Sequence, residues 1–282
     1  MTDASASTGP VAVAAGPVGV VLGDVDGNLA RIAAATRAAA AGGARLIVLP
    51  ELATSGYVFA SRAEAEAAAI AADDARLVAL SAAVPENGTL VVGFAERSGD
   101  VLFSSAAVIG ADGVLAVYRK THLWGEESRF FAAGDAAPPV VDTPAGRVGV
   151  AVCYDAEFPE VPRALALAGA DVLALPVNWP LVPRPRGERP PEIVLAMAAA
   201  RASKLPVVVA DRAGEERGVP WTDGSAVIGP DGWIVSAEPG ARDVFATAVL
   251  DPGLARDKRI GDRNDLLADR RPDLYGSLLD RR

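Results

Sequence analysis

Short, unbroken runs of Val, Ile, Leu and Ala recur along this chain and alternate with alanine-rich stretches of helical length. No other feature limits the fold as much. A strand with one wet face alternates apolar and polar residues. "RLIVLP" (45–50), "VGVAVCYD" (148–155), "DVLALPVN" (171–178) and "PVVVADRA" (206–213) are apolar almost throughout, as strands covered on both faces are. "VGVVL" (18–22), "TLVVGFA" (89–95), "AAVIG" (106–110), "VLAVYRK" (114–120), "GSAVIG" (224–229), "WIVSAE" (233–238) and "FATAVLD" (245–251) complete the predicted strands. Helices are expected over 27–41, behind the capping aspartates of "DVDG", and over 61–82, 158–169 and 190–203. "ENG", "ADG" and "PDG" mark turns. The pattern predicts one α/β domain over 11–251 with helices outside a sheet core. A disordered tail (1–10) precedes it, and an Arg- and Asp-rich extension (252–282) follows, either solvated or lying on a partner subunit.

Composition removes whole classes of function. With 36 acidic against 27 basic residues and a formal charge of -9, the chain lacks the basic face that a nucleic-acid binder needs. One cysteine makes no intrachain disulfide, and with the one histidine, His122, it makes no standard zinc site. The apolar run "VAVAAGPVGVVLG" is too short to span a bilayer and is broken by Gly and Pro. A soluble, cytoplasmic protein is expected.

Three reactive groups stand at the ends of three apolar strands: Glu51 after "RLIVLP", Lys120 after "VLAVYR" and Cys153 near the end of "VGVAVCYD". Strand ends are where sites gather in α/β folds. A buried strand end is also a poor place for an unpaired charge, whereas a lysine and a glutamate there compensate each other. A thiol beside them can act as a nucleophile if a base takes its proton. His122, two residues past Lys120, is one candidate base, and a partly buried carboxylate is the other. Lys120 and the backbone N–H of Tyr154 would hold an oxyanion.

"LPELATSGY" with Glu51, "YRKTHLW" with Lys120 and "VAVCYDAEFPE" with Cys153 resemble, in order and separation, the signature segments of the nitrilase (carbon–nitrogen hydrolase) superfamily. "GNLARI", "GADVLALPVNWP" and "TDGSAVIGPDGW" extend the resemblance over about residues 11–251. It implies a four-layer α-β-β-α sandwich, commonly dimeric. It also implies a Glu51–Lys120–Cys153 triad acting on non-peptide C–N bonds without metal or cofactor. A second glutamate that positions substrate and lysine follows from the same resemblance, with Glu127 a better match than Glu126. "ARASKLP" (200–206) departs from the family's pattern and leaves the helix end there, and the subunit contact, open.

Tyr57, Trp124, Tyr154, Asn178 and Trp179 are expected to line the pocket, and Arg184 or Arg186 in the loop "LVPRPRGERPPE" (181–192) to tune substrate choice. "CYDAEFPE" is closer to amide-hydrolysing members than to nitrile-cleaving ones, where tryptophan and glutamate commonly follow the cysteine. The leading expectation is therefore an amidase acting on a small amide. The alternatives are a nitrilase, an N-carbamoyl amide hydrolase, a Cys–His hydrolase using His122 and a catalytically silent scaffold.

Overall fold

Alternation within single strands builds the first sheet. The computed structural model describes residues 9–236 and 244–276. In it β1 (Val11–Ala15), β2 (Leu46–Val48), β3 (Thr89–Ser98), β4 (Val101–Gly110), β5 (Gly113–Arg119) and the late strand β13 (Ala246–Leu250) pair in the order β13-β1-β2-β3-β4-β5. Val13, Ala15, Leu46, Val48 and Val91 join the core shared with a second sheet. Their neighbours Ala14, Ile47, Leu49, Leu90 and Val92 pack instead with Val25, Leu29 and Ile32 of α1 (Val25–Ala41). The pleat sends alternate residues to opposite faces. Both faces are covered, which is why these segments read as unbroken apolar runs.

The second sheet orders its strands β12-β9-β8-β7-β6, from β6 (Val140–Thr143), β7 (Gly146–Val150), β8 (Val172–Pro176), β9 (Val207–Ala210) and β12 (Ala226–Ile228). β7, β8 and β9 run parallel, joined through α4 (Glu160–Leu167) and α5 (Pro191–Ser203). Val148 and Val150 belong to the core between the sheets. Gly149 faces the other way, where an added Cβ would stand 3.3 Å from Leu165 of α4. Helix, sheet, sheet and helix thus stack as a four-layer α-β-β-α sandwich. Among the described residues no helix is long and apolar enough to cross a membrane.

Several sequence expectations are corrected. Residues 18–22 form no strand, because β1 already fills the place beside β2 and β13. Val21 instead exchanges hydrogen bonds with the buried Asn28 side chain of α1. The helix expected over 61–82 is broken into α2 (Arg62–Ala68), α3 (Ala75–Val78) and a 3-10 turn over Ala79–Ala83. Ile70 causes the break, since it turns extended to bridge Glu96 beside β3 and is buried there. Of 233–238, Ile234 makes only an isolated bridge to Ile228, and 237–238 lie outside the described residues. The helix expected at 158 begins at Glu160, behind Pro159. β6 was not foreseen, nor the small ribbon of β10 (Glu215–Glu216) and β11 (Val219–Pro220). α5 ends with Lys204 in the left-handed conformation (φ 43°), the "ARASKLP" departure.

The start of the C-terminal extension is mostly exposed and is tied to its own chain at a few points. α6 (Pro252–Arg256) brings Arg256 onto Asp171 at 2.8 Å, and Lys258 Nζ donates to the carbonyl of Lys204 at 3.0 Å. Residues 1–8 of the predicted tail and 277–282 lie outside the described residues.

Candidate active site

β7 delivers Cys153 through a sharp bend. The chain leaves the sheet after Val150, Cys153 takes φ 47°, and a 3-10 turn over Cys153–Glu157 follows. Leu52, next to Glu51, has the same φ of 47°. A left-handed non-glycine residue costs about 1 kcal/mol or more and persists only where its surroundings hold it. At the cysteine the holder is Asp155, which is fully buried. Its Oδ2 accepts from Val152 N–H (3.0 Å) and Tyr118 hydroxyl (2.8 Å). Its Oδ1 accepts from Thr121 Oγ1 (3.0 Å) and His122 N–H (3.0 Å), and stands 2.7 Å from His122 Nδ1. Burial alone would raise the Asp155 carboxyl, but these donors, His122 foremost, hold it below its ordinary value. Asp155 thereby locks the cysteine bend to the segment that follows Lys120.

Glu51 is placed by close backbone packing. It follows β2, its N–H points to the Val177 carbonyl at the end of β8, and Gly93 of β3 lies against it. A Cβ on Gly93 would stand 2.4 Å from Glu51 Cα, so no side chain fits there. Glu51 Oε1 accepts from Lys120 Nζ at 2.8 Å and from Ser104 Oγ at 3.2 Å, while Oε2 meets no donor. Lys120 Nζ also donates to Glu127 Oε1 at 2.7 Å. Glu127 accepts in addition from Tyr57 hydroxyl at 2.5 Å and from Trp124 N–H at 3.0 Å.

The buried charges set each other's ionisation. Burial pushes the Glu51 carboxyl up to about 7, against the pull of Lys120 and with the push of Glu127. Burial disfavours the Lys120 ammonium, but the negative charges around it win, so Lys120 stays protonated. The Cys153 thiol is pushed well up by burial and then by Glu51, with Lys120 opposing. A resting thiol beside a carboxylate poised near neutrality suits proton transfer during attack rather than a standing thiolate.

Cys153 opens onto a cavity of ≈ 240 Å³, lined also by Trp124, Tyr154, Asn178 and Trp179. Four of the five expected lining residues are therefore on its wall. Tyr57 is not among them, because its hydroxyl is turned to Glu127 and its ring packs edge-on against Trp221 at 5.6 Å. Glu126 sits at the surface paired with Arg129, and Glu127 is the buried one. Arg184 and Arg186 do not reach this cavity; they line a separate surface hollow with Glu188. His122 spends its hydrogen-bonded nitrogen on Asp155 and Thr121 and stacks on Phe158 at 3.9 Å. The sequence reading missed Ser104, Asp155, Glu157 and Glu192. Asp155 and Glu157 carried a signal: two acids within a turn of a buried thiol.

The family model described as carbon-nitrogen hydrolase matches residues 10–259. A protein of Pyrococcus abyssi named nitrilase is 38% identical over 254 residues, covering 89% of this chain and 93% of that protein. The N-carbamoylputrescine amidase of Solanum lycopersicum is 32% identical, covering 91% of each. Among solved structures, a variant of a Nesterenkonia amidase from the nitrilase superfamily has a TM-score of 0.77 at 27% identity, covering 96% of this chain and 98% of that one. Another variant of that amidase, at 26% identity and a TM-score of 0.76, carries the acetamide moiety of fluoroacetamide covalently at its active site cysteine. This chain belongs to the carbon–nitrogen hydrolase family of the nitrilase superfamily.

Proposed function

We propose that the chain hydrolyses a small carboxamide to the acid and ammonia through a thioester on Cys153. One observation carries the reading: the buried thiol on the wall of one small cavity lies in the field of a buried lysine that is paired with two glutamates. As Cys153 Sγ bonds to the amide carbon, its proton passes to Glu51. The carbonyl oxygen becomes an oxyanion facing Lys120 and the N–H of Tyr154, which is the second residue of the 3-10 turn and has no intrahelical acceptor. Glu51 returns the proton to the nitrogen as the C–N bond breaks, and ammonia leaves. Water then attacks the thioester, Glu51 takes its proton, and the proton ends on the departing sulfur. Glu127 neither gives nor takes a proton; held by three donors, it keeps Lys120 in place.

Nitrile hydrolysis is the second reading, favoured by the name of the Pyrococcus abyssi relative. Ammonia release across matched amides, nitriles and N-carbamoyl amines separates the two. The amide should outpace its nitrile and yield a hydroxamate when hydroxylamine is present. Faster conversion of the nitrile to the acid would replace the amidase reading.

A further inference from the structure

The cavity beside Cys153 holds two carboxylates and, among the described residues, no cationic side chain on its wall. Glu157 lies one turn past the thiol and Glu192 in the first turn of α5, and both line it. They share one wall, and burial, then the charge of Glu192, raise the Glu157 carboxyl. Glu192 Oε2 is closed to solvent and has no hydrogen-bond partner. The helix start accounts for one negative charge, not for a second one opposing it. The three arginines of the 181–192 loop do not line the cavity: Arg184 and Arg186 line one other hollow, and Arg189 lines another.

Independent of the acids, Asn178 is 1% exposed and lines the same cavity, yet neither Oδ1 nor Nδ2 has a partner. An unpaired buried amide costs free energy that a ligand's polar group would recover. The remaining wall is aromatic and aliphatic: Trp124, Tyr154, Trp179, Val182 and Leu195. Such rings attract a desolvated cation by their faces. Like-charged acids, an orphaned amide and aromatic walls are together what a small organic cation needs.

We propose that the substrates are short carboxamides whose acyl chain ends in a protonated amine, bound between Glu157 and Glu192. This rests on the amide hydrolysis proposed above. The departing ammonia carries no chain of its own, so the cation belongs to the acyl part. A volume of ≈ 240 Å³, below the usual range for drug-sized ligands, holds the chain short.

The test compares 5-aminopentanamide, hexanamide and succinamate, which have equal numbers of heavy atoms and differ in terminal charge. By ammonia release, the aminoamide should exceed both others in kcat/KM by about 10–100-fold, the worth of one charge-assisted hydrogen bond. In Glu157→Gln/Glu192→Gln that ratio should collapse toward one. Calorimetry on Cys153→Ala reads binding without chemistry and should give the same order. Equal or better use of hexanamide or succinamate, or a ratio unchanged in the double variant, overturns the inference. Preferential binding of the aminoamide without turnover of any amide would instead remove the hydrolytic reading and leave the cation site standing. No turnover and no preference would remove both.

Discussion

Lys120 Nζ stands 2.7 Å from Glu127 Oε1, with both side chains buried. With Glu51 on its other side, the ammonium balances one of two buried carboxylates and shares the second. Removing it strands two negative charges away from water. Lys120→Ala should therefore lose about 3–5 kcal/mol of stability by denaturant titration as well as activity. Glu127→Gln keeps the shape and should fold. Its kcat should drop about 100-fold because Lys120 is no longer held in position.

The pH profile follows from Glu51. A base raised to about 7 makes kcat/KM climb along an acidic limb centred near pH 7, the apparent value belonging to the whole cluster. The same shift affects folding with the opposite sign. A carboxyl raised from 4.5 favours the folded state below its unfolded value and loses that contribution as pH rises through about 7. Denaturant titrations at pH 5 and pH 8 should show a smaller loss of stability between the two in Glu51→Gln than in the parent.

Gly93→Ala tests the backbone contact that places Glu51. A methyl 2.4 Å from Glu51 Cα and 2.5 Å from Leu52 N meets main chain, which cannot rotate away. About 1–3 kcal/mol of destabilisation is expected. A larger kinetic effect, on the order of 100-fold in kcat, should accompany it because the carboxylate moves.

Asp155 and His122 separate positioning from proton transfer. Asp155→Ala unties Val152, Tyr118, Thr121 and His122 at once and should cost about 2–4 kcal/mol by thermal or denaturant melting. His122→Asn removes only one edge of that knot. Its kcat should stay within about tenfold of the parent, with the limb near pH 7 retained. A silent His122→Asn beside an active Glu51→Gln would give the proton transfer to histidine.

Much of this was legible in the residues. Runs covered on both faces told the two-sheet core, because Ile47 and Val48 are both apolar yet point to different layers. Glu51, Lys120 and Cys153 stood out because charge or a lone thiol at the end of an apolar strand needs compensation. What the sequence hid was tertiary. Residues 18–22 have strand composition, but the sheet position was taken by β1. The alanines of 61–82 favour helix, but burial of Ile70 against β3 outweighed that preference. Tyr57 looked like a pocket aromatic until its hydroxyl found Glu127. Glu157 and Glu192 lie 35 positions apart in the chain, so only the fold shows that they share a wall.

The covalent role of Cys153 is tested most directly by intact-protein and peptide mass spectrometry on enzyme quenched with acid during turnover of a good amide. The acyl mass should appear on the peptide that contains Cys153, vanish when hydroxylamine is added, and be absent in Cys153→Ala, which should also release no ammonia. Undiminished ammonia release by a folded Cys153→Ala, with no acyl adduct on the parent enzyme, would contradict it.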